Sequence, residues 1–428
     1  MFVFNGVSHD RRVLKEADAL QAAGWSVTIH GIRQRRSAAP LREPRSSGVV
    51  IVRHPQTVFP ATPPAWNPAW GLLLKPLFAL QFIFTTLLAL VGIRVARQVR
   101  SAFALWAWSA SASRAATQAE ILHAHDLSGG LAALFASDAS GATLVYDSHE
   151  VFLESGHWAR APRFVRNFLA SKIERPLLER AAALIAVNPQ VIEELAKRYE
   201  LPERQVVTYN CPPAWNPEPR GTELRAAIGV DAAAQVVLYH GGFSAHRGLE
   251  ELLKAKRDPR LASAHLVFLG YGPLESTLRA AAADPAYGGR VHVLKAVVPD
   301  VLDRWVSGAD VGMCTVLPST LNHRISTPNK LFESIGAGVP VIASDFATMR
   351  DIVLGDPDGP LGAVCDPTSA QEVATAIHSI LSMSPSDRTA LRARCIRAAT
   401  ARWNWEVQEA RLTELYRSLP LYGDLDPA

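Results

Sequence analysis

Short apolar runs and amphipathic stretches alternate along most of this chain, which is the pattern of β-strands followed by α-helices. The first unit has an apolar strand at residues 1–4, a polar turn, and a helix over 11–23 that ends at Gly24. Similar units continue to residue 209, with predicted strands at 26–30, 49–53, 120–123, 143–147, 184–187 and 206–209 and helices at 127–139, 164–182 and 190–199. This alternation predicts a parallel sheet with helices on both faces.

A second alternating series follows a stretch without periodicity, residues 211–221, which contains four prolines. Its predicted strands are 236–240, 265–269, 291–294, 311–314 and 339–343, and its predicted helices are 249–255, 274–282, 298–307, 329–336, 370–381, 386–401 and 405–419. A chain of 428 residues also exceeds what one hydrophobic core usually supports. The sequence therefore predicts two α/β domains, over 1–214 and 222–402, with a ligand at their carboxyl sheet edges.

Composition places the chain among ordinary globular proteins, with 48% hydrophobic and 20% charged residues. Its four cysteines, Cys211, Cys314, Cys365 and Cys395, lie far apart and form no Cys-x-x-Cys pair. This spacing argues against a structural zinc site or a disulfide framework, and it fits a reducing compartment. Because the apolar run at residues 1–4 is too short for a signal peptide, we expect a cytoplasmic protein.

The small net charge of +4 is unevenly distributed, since residues 31–100 contain ten basic residues and one acid, Glu43. Residues 76–93 in this block carry no charge. A spanning helix there would separate strands of one sheet across the bilayer, so a buried core helix and a segment lying in one leaflet remain. Trp66, Trp70 and the surrounding arginines favour the segment lying in one leaflet. This segment comprises residues of about 66–100 and would lie on the inner membrane surface. No recognition motif supports nucleic-acid binding.

Two clusters in the second domain carry candidate binding chemistry. Gly241 and Gly242 follow a predicted strand and let the backbone approach a phosphate closely, and Arg247 can reach a pyrophosphate. Downstream, Thr327 is the predicted N-cap of helix 329–336, with Pro328 at its first position. The positive charge of Lys330 is unfavourable near the amino end of a helix, so its position suggests that an anion binds there. Glu333 can accept hydrogen bonds from ribose hydroxyls. A capped amphipathic helix is the alternative interpretation.

Histidines and acids end two predicted strands of the first domain, at the same sheet edge. His123 and His125 alternate, which we interpret as one side chain facing the sheet and the other facing a cleft, with His125 the functional residue. His149 and Glu150 end the next strand. Either one can orient an acceptor or act as a base, and the sequence does not separate the two roles.

These motifs resemble the bacterial retaining glycosyltransferases of family 4, which have the two-domain GT-B fold. The resemblance spans nearly the whole chain and rests on segments 10–17, 24–25, 123–126, 146–150, 241–248, 328–333, 337–340 and 403–406. The string Pro-Asn-Lys-Leu-Phe-Glu at 328–333 is the most specific of them. The resemblance implies two Rossmann-like domains facing a cleft and a final helix, within 403–428, that crosses back onto the first domain.

The resemblance also implies a reaction, the transfer of a hexose-type sugar from a nucleoside-diphosphate sugar to a lipid-linked or polysaccharide acceptor with retention of configuration. Glu333 would bind the donor ribose, Arg247 and Lys330 the diphosphate, and His125 would lie beside the sugar. The implied catalytic residues are His125, Arg247 and Lys330; the donor site adds Gly241, Gly242, Asn329, Leu331 and Glu333; the acceptor side has Asp10, His149 and Glu150. No cofactor or metal is expected, and Asp356-Pro-Asp358 is interpreted as a turn.

One position departs from the family pattern. Many members carry two glutamates eight positions apart, and Ile325 stands at the earlier position here. The departure removes a carboxylate expected near the donor sugar, so the identity of the sugar stays open. A nucleotide-sugar epimerase of the same architecture and an inactive membrane-bound scaffold are the two alternative functions.

Overall fold

The computed structural model describes residues 1–8, 10–33, 38–55, 83, 94–156 and 158–420, which form two compact units. Unit 1 comprises Met1–Ala186, Val191–Thr208 and Arg411–Ala428, and unit 2 comprises Val187–Gln190 and Tyr209–Ala410, within the described residues. Apart from Ile83, the apolar segment 76–93 lies outside them. None of the helices in the described part is both long and apolar enough to cross a bilayer.

The sheet of unit 1 is almost entirely parallel, as predicted. Its strands are β1 (Thr28–Arg33), β2 (Arg42–Pro44), β3 (Val50–Pro55), β4 (Ile121–His125), β5 (Thr143–Ser148), β6 (Ala181–Ala186) and β7 (Arg204–Val207). They run in the orders β2-β3-β1 and β4-β5-β6-β7, and only β2 is antiparallel to its neighbour. Phe2 bridges β1 at His30 and β4 at Ala124. The strand predicted at 1–4 is therefore reduced to this bridge, because the chain turns at Asn5, whose Oδ1 accepts a hydrogen bond from Val7 N at 2.7 Å.

Helices cover the sheet of unit 1. They are α1 (Arg11–Ala22), α2 (Arg94–Arg114), α3 (Asp126–Ser140), α4 (Arg163–Leu169), α5 (Arg175–Arg180) and α6 (Pro189–Ala196), with a π-helical turn over Ala170–Glu174. The single helix predicted at 164–182 is thus interrupted by a π-helical turn and ends where β6 begins. Helix α2 was not predicted, because consecutive buried residues such as Trp108, Ser109 and Ala110 remove its amphipathic period.

Unit 2 is a six-stranded, wholly parallel sheet in the order β10-β9-β8-β11-β12-β13. The strands are β8 (Val236–Gly242), β9 (His265–Tyr271), β10 (Val291–Lys295), β11 (Val311–Cys314), β12 (Val341–Ser344) and β13 (Gly362–Cys365). The strand order reverses between β8 and β11. In open parallel sheets, ligands bind outside the carboxyl ends of the strands at this reversal.

The helices of unit 2 connect these strands, and the last helix of the chain returns to unit 1. In order they are α7 (Glu223–Ala227), α8 (Leu249–Ala255), α9 (Glu275–Ala283), α10 (Leu302–Val306), α11 (Leu321–Arg324), α12 (Asn329–Gly336), α13 (Ala347–Leu354), α14 (Ala370–Leu381), α15 (Pro385–Ala401) and α16 (Trp405–Arg417). Leu412, Leu415 and Tyr416 of α16 pack in the core of unit 1 with Val13 and Val145. The expected return of the final helix to the first domain is confirmed by this packing.

Candidate functional site

The double glycine of unit 2 lies at the end of β8, which extends two residues beyond the predicted strand, so both glycines belong to the strand itself. Gly241 pairs with Gly270 of β9 and adopts φ +114°, a conformation that favours glycine. A Cβ atom on Gly270 would lie 1.9 Å from the carbonyl oxygen of Gly241, so the two backbones approach closely. Gly241 and Gly242 are both exposed, which leaves the end of β8 open to a ligand.

The loop after β8 packs against the end of β11. Gly248 adopts φ +72°, and a Cβ atom there would lie 2.3 Å from the carbonyl oxygen of Thr315. Only glycine fits such an approach, which holds the loop at the position where the strand order reverses. Arg247 precedes Gly248 and keeps part of its surface exposed.

Helix α12 has the predicted bounds, Asn329–Gly336, but its cap differs from the prediction. Pro328, and not Thr327, occupies the N-cap position, and no side chain caps this end. Asn329, the first helical residue, accepts a hydrogen bond at Oδ1 from Asn210 Nδ2 at 3.0 Å. The side chain of Leu331 is fully buried in the core of unit 2, so only its backbone is available to a ligand. The prediction of Thr327 as the cap was therefore wrong: Pro328 occupies the N-cap position, and its side chain cannot accept a hydrogen bond from the first turn.

Lys330 lies over an aromatic ring at the end of β8. Its Nζ is 3.4 Å from the centroid of the Tyr239 ring, and a Cβ atom on Gly241 would lie 3.6 Å from the same nitrogen. Burial lowers the pKa of Lys330 to about 7; Cys314 opposes this shift, and the positive charge of Arg247 adds to it. Arg247 and Lys330 are therefore close enough to repel each other. A bound anion would remove this repulsion.

Glu333, one turn after Lys330, is held by a histidine of the strand. Its Oε2 lies 3.0 Å from Nε2 of His240, and its side chain is 12% exposed. His240 directly precedes Gly241, so the carboxylate is fixed beside the strand end. The structure thus brings Gly241, Lys330 and Glu333 together, with Arg247 near enough to act on Lys330 electrostatically.

A separate network of buried charges lies in unit 1. The Arg12 guanidinium donates two hydrogen bonds to Asp147, from Nη2 to Oδ1 at 2.7 Å and from Nε to Oδ2 at 3.0 Å. Its Nη1 donates to the Thr208 carbonyl oxygen at 2.7 Å, and Glu16 Oε1 lies 3.0 Å from Nε. All three ionisable side chains are buried, so the charge of each depends on the other two.

The two histidines of β4 point to the same side, and our expectation that they diverge was wrong. Residues i and i+2 of a strand share a face, and the rings of His123 and His125 stack with centroids 4.2 Å apart. Both are buried. His125 Nδ1 lies 3.1 Å from Asp147 Oδ2, and His123 Nδ1 lies 2.6 Å from the Tyr416 hydroxyl. His125 therefore belongs to the charge network in the described structure.

His149 and its partner Asp126 are the partly exposed members of this network. The Nε2 of His149 lies 2.8 Å from Asp147 Oδ2, and its Nδ1 lies 3.3 Å from Asp126 Oδ2. Burial disfavours a charged ring, but Asp126 and Asp147 together raise the pKa of His149 to about 9. Burial and then the charge of Asp126 raise the pKa of Glu150 to about 6. Asp10, also predicted on the acceptor side, caps α1 by accepting a hydrogen bond from Val13 N at 3.2 Å.

Four members of the network bring possible metal ligands together, since atoms of Glu16, His123, His125 and Asp147 lie within 4.8 Å of one another. Arg12 already contacts both carboxylates of this group, at 3.0 and 2.7 Å. A guanidinium in this position supplies the positive charge that a cation would bring, so the residues fit a charge network better than a metal site. The segment Asp356-Pro-Asp358 is a turn, in which Asp356 Oδ1 accepts a hydrogen bond from Asp358 N at 3.1 Å.

The network predicts a pH-dependent stability. Burial, opposed by Arg12, raises the pKa of Glu16 from 4.5 to about 8. The folded chain therefore holds a proton that the unfolded chain releases, and stability from this group is lost as the pH rises toward 8. Because glutamine resembles the protonated acid and does not titrate, the Glu16→Gln variant should gain roughly 1–3 kcal/mol over the wild type between pH 5 and 8. Urea unfolding of both proteins at the two pH values measures this gain, and parallel pH profiles would contradict the assignment.

Two glycosyltransferase domain families together match most of the chain. Residues 9–211 match the "Glycosyl transferase 4-like domain" and residues 234–383 match "Glycosyl transferases group 1". The chain belongs to the family 4 glycosyltransferases. The two matches fall on the two sheets described above, and Gly241, Arg247, Lys330 and Glu333, which the sequence predicts to bind the donor, lie within the second. Enzymes of this GT-B type take their sugar from a nucleotide donor.

Relatives of this glycosyltransferase carry different substrate names. It is 24% identical over 310 residues to the α-D-kanosaminyltransferase of Streptomyces kanamyceticus, across 70% of this chain and 78% of that one. It is 28% identical over 221 residues to the D-inositol 3-phosphate glycosyltransferase of Corynebacterium urealyticum, across 49% of each. One name specifies a kanosaminyl group and the other specifies D-inositol 3-phosphate, so the family membership does not assign the substrates of this glycosyltransferase.

Solved structures confirm the GT-B fold of this glycosyltransferase. Sucrose-phosphate synthase from Thermosynechococcus elongatus superimposes with a TM-score of 0.68 at 19% identity, over 95% of this chain and 92% of that one. Anabaena HepE in complex with UDP has a TM-score of 0.68 at 15% identity, over 98% of this chain and 99% of that one. At these identities the likeness concerns the fold alone.

Several residues that shape the two sites were not found from the sequence. The sequence indicates only that Tyr239 and His240 end an apolar strand. The structure shows that Tyr239 contacts Lys330 and that His240 contacts Glu333. Arg12 and Glu16 are spaced four residues apart on α1, which was a usable signal for a pair on one helix face. Their partner Asp147 is 135 residues from Arg12, and no local pattern connects the two.

Proposed function

We propose that this glycosyltransferase moves a hexose-type sugar from a nucleoside-diphosphate sugar to a lipid-linked or saccharide acceptor, with retention of the anomeric configuration. The observation that carries the donor part is the cluster at the end of β8. There, Lys330 lies against Tyr239 beside Gly241, and Glu333 is held by His240. Two cations and a fixed carboxylate at a sheet edge match the charges and hydroxyls of such a donor.

The donor binds with its diphosphate near Lys330 and Arg247 and its ribose at Glu333. In the free enzyme, burial and then the charge of Arg247 lower the pKa of Lys330, and a diphosphate beside the two cations favours the charged form of the lysine. The carboxylate of Glu333 accepts hydrogen bonds from the ribose hydroxyls, while His240 holds its other side. Exposed Gly241 and Gly242 leave room for the phosphates.

In the reaction, the bond between the anomeric carbon and the diphosphate oxygen breaks, and the acceptor oxygen bonds to that carbon. Negative charge develops on the diphosphate, and Arg247 and Lys330 stabilise it from fixed positions. Retention follows when the acceptor attacks from the face that the leaving group departs from, with a donor phosphate oxygen taking the acceptor proton. His125 of unit 1, which the family resemblance assigns to the transferred sugar, keeps that role in this proposal, and Asp147 holds its Nδ1 at 3.1 Å.

The acceptor side of the proposal uses His149 and Glu150, at the end of β5. His149 is 20% exposed and is bound to Asp126 and Asp147, so it presents a fixed, charged ring to an acceptor. Asp10 caps α1 and thereby orients the helix that carries Arg12 and Glu16. The apolar segment of about 66–100 would bring the enzyme to the inner face of the cell membrane, where lipid-linked acceptors are found.

A donor screen tests the proposal. UDP-, GDP- and dTDP-sugars are compared by thermal unfolding, starting with UDP-glucose because HepE has been solved with UDP-glucose. One nucleotide class should stabilise the protein by about 2.7 kcal/mol at a hundredfold excess over Kd, which raises the Tm by several degrees. The free nucleosides are the matched controls and should have little effect. If no nucleoside-diphosphate sugar stabilises the protein, the donor assignment is wrong; if a labelled donor is epimerised without an acceptor, the enzyme is an epimerase.

A further inference from the structure

An apolar pair stands exposed on a helix of unit 1. Phe164 and Phe168 lie four residues apart on α4, so their rings are neighbours on one face, and the residues are 72% and 59% exposed. Single exposed apolar residues are common on protein surfaces, but two adjacent phenylalanines at this exposure mark a surface for a partner. The pair lies outside the segment of about 66–100 and outside both sites described above.

Basic residues flank this pair along the chain, and the same stretch of sequence contains no acid. Arg160, Arg163 and Lys172 are exposed, and the sequence contains no aspartate or glutamate between Glu154 and Glu174. Both flanking glutamates are occupied, since Glu154 pairs with Arg166 and Arg198, and Glu174 is buried and accepts a hydrogen bond from Tyr199. We call the five residues Arg160, Arg163, Phe164, Phe168 and Lys172 the Phe164 face.

We propose that the Phe164 face docks on an anionic lipid bilayer. The two rings enter the boundary between headgroups and acyl chains, and the three cations contact lipid phosphates. A second copy of the chain would bring the same positive charge against itself, which opposes self-association through this face. This inference rests on the proposed function, in which the enzyme works at a membrane, and it names a surface that contacts the lipid. It does not depend on the donor site in unit 2.

Vesicle sedimentation of the full chain tests the charge and apolar contributions. Vesicles of phosphatidylcholine with phosphatidylglycerol should bind the wild type more tightly than pure phosphatidylcholine, and added salt should weaken the binding. The variant Arg160→Gln/Arg163→Gln/Lys172→Gln should bind at least tenfold more weakly, since each cation near the surface contributes roughly fivefold. The matched control Lys254→Gln/Arg279→Gln/Arg304→Gln changes the net charge equally in unit 2 and should bind like the wild type.

A fluorescent label at the face separates this contact from any other membrane contact of the chain. All four native cysteines are buried, so an environment-sensitive dye on Phe168→Cys reports on this position alone. Its emission should shift to the blue with anionic vesicles, while the same dye on Lys254→Cys stays unchanged. A label at residue 168 that does not respond while the protein sediments with vesicles overturns the proposal. An equal response to soluble polyglutamate also overturns it, in favour of an acidic protein partner.

Donor stabilisation measured on the same variants keeps the two hypotheses distinguishable. The Phe164→Ser/Phe168→Ser variant should lose at least tenfold in affinity for anionic vesicles, yet gain the same thermal stabilisation from the nucleotide sugar as the wild type. Loss of vesicle binding with intact donor binding supports the membrane contact. Intact vesicle binding in this variant rejects it, whatever the outcome of the donor screen.

Discussion

Glu333→Ala should lower kcat/KM for the nucleotide sugar by roughly 10³ while the protein still folds. The carboxylate is expected to accept hydrogen bonds from both ribose hydroxyls, and charge-assisted bonds contribute about 1.5–3 kcal/mol each. Alanine also leaves His240 without the partner that it has at 3.0 Å. Initial rates with the donor identified by the thermal screen measure the loss, and circular dichroism with thermal unfolding verifies the fold.

A donor that lacks both ribose hydroxyls makes this prediction specific. The wild type should discriminate strongly against this 2′,3′-dideoxyribose analogue, whereas Glu333→Ala should treat the two donors almost equally, because the hydroxyls have then lost their acceptor. Glu275→Ala, at the start of α9, is the matched control for removing a glutamate near a helix end, and its activity should be unchanged. Wild-type discrimination in Glu333→Ala would place the ribose elsewhere.

Lys330→Met should lower kcat by about 10²–10³, the effect of removing one preorganised group that stabilises developing charge. Methionine keeps most of the length of the side chain without its charge, so packing against Tyr239 is retained. The control Lys254→Met removes an exposed lysine of unit 2 and should leave the rate unchanged. Activity near that of the wild type in Lys330→Met would exclude the lysine from the diphosphate site.

The same lysine should make donor binding pH-dependent. Burial lowers the pKa of Lys330 to about 7 in the free enzyme, and a bound diphosphate raises it, so binding takes up a proton above pH 7. Affinity for the nucleotide sugar should therefore fall as the pH rises from 7 to 9, by up to tenfold per pH unit. Titration calorimetry in buffers of different ionisation enthalpy measures the uptake, and Lys330→Met should show none. Because a sugar ester of the diphosphate does not titrate in this range, the proton can be assigned to the protein.

Hydrophobic periodicity predicted most of the architecture of this chain. Helices Leu249–Ala255 and Asn329–Gly336 and strand Val311–Cys314 have the bounds that were predicted, because each has a clear apolar pattern between polar or glycine residues. Helix α2 was missed because the consecutive residues 107–110 are all buried, and β13 because a four-residue strand follows a loop rich in glycine and proline. Periodicity detects a helix or strand with one buried face, so it fails where consecutive residues are buried and for very short strands.

The candidate donor site was partly predictable from the sequence. Arg247, Lys330 and Glu333 stood out because glycines or a helix start accompany them, whereas the contacts of Tyr239 and His240 depend on the pairing of two elements about 90 residues apart. In unit 1, the strand period of two applied to His123 and His125 should have placed them on one face. Their stacking and their bonds to Asp147 and Tyr416 required the tertiary structure.

Hydrogen exchange with and without a saturating nucleotide sugar tests the central claim most directly, since it locates the bound donor without relying on activity. We expect new protection at residues 240–249, which end β8 and begin α8, and at 327–336, which contain α12, because these segments carry Gly241, Arg247, Lys330 and Glu333. Protection at both segments would support a diphosphate and ribose site at the end of β8. Donor binding that protects other segments and leaves both of these unchanged would contradict it.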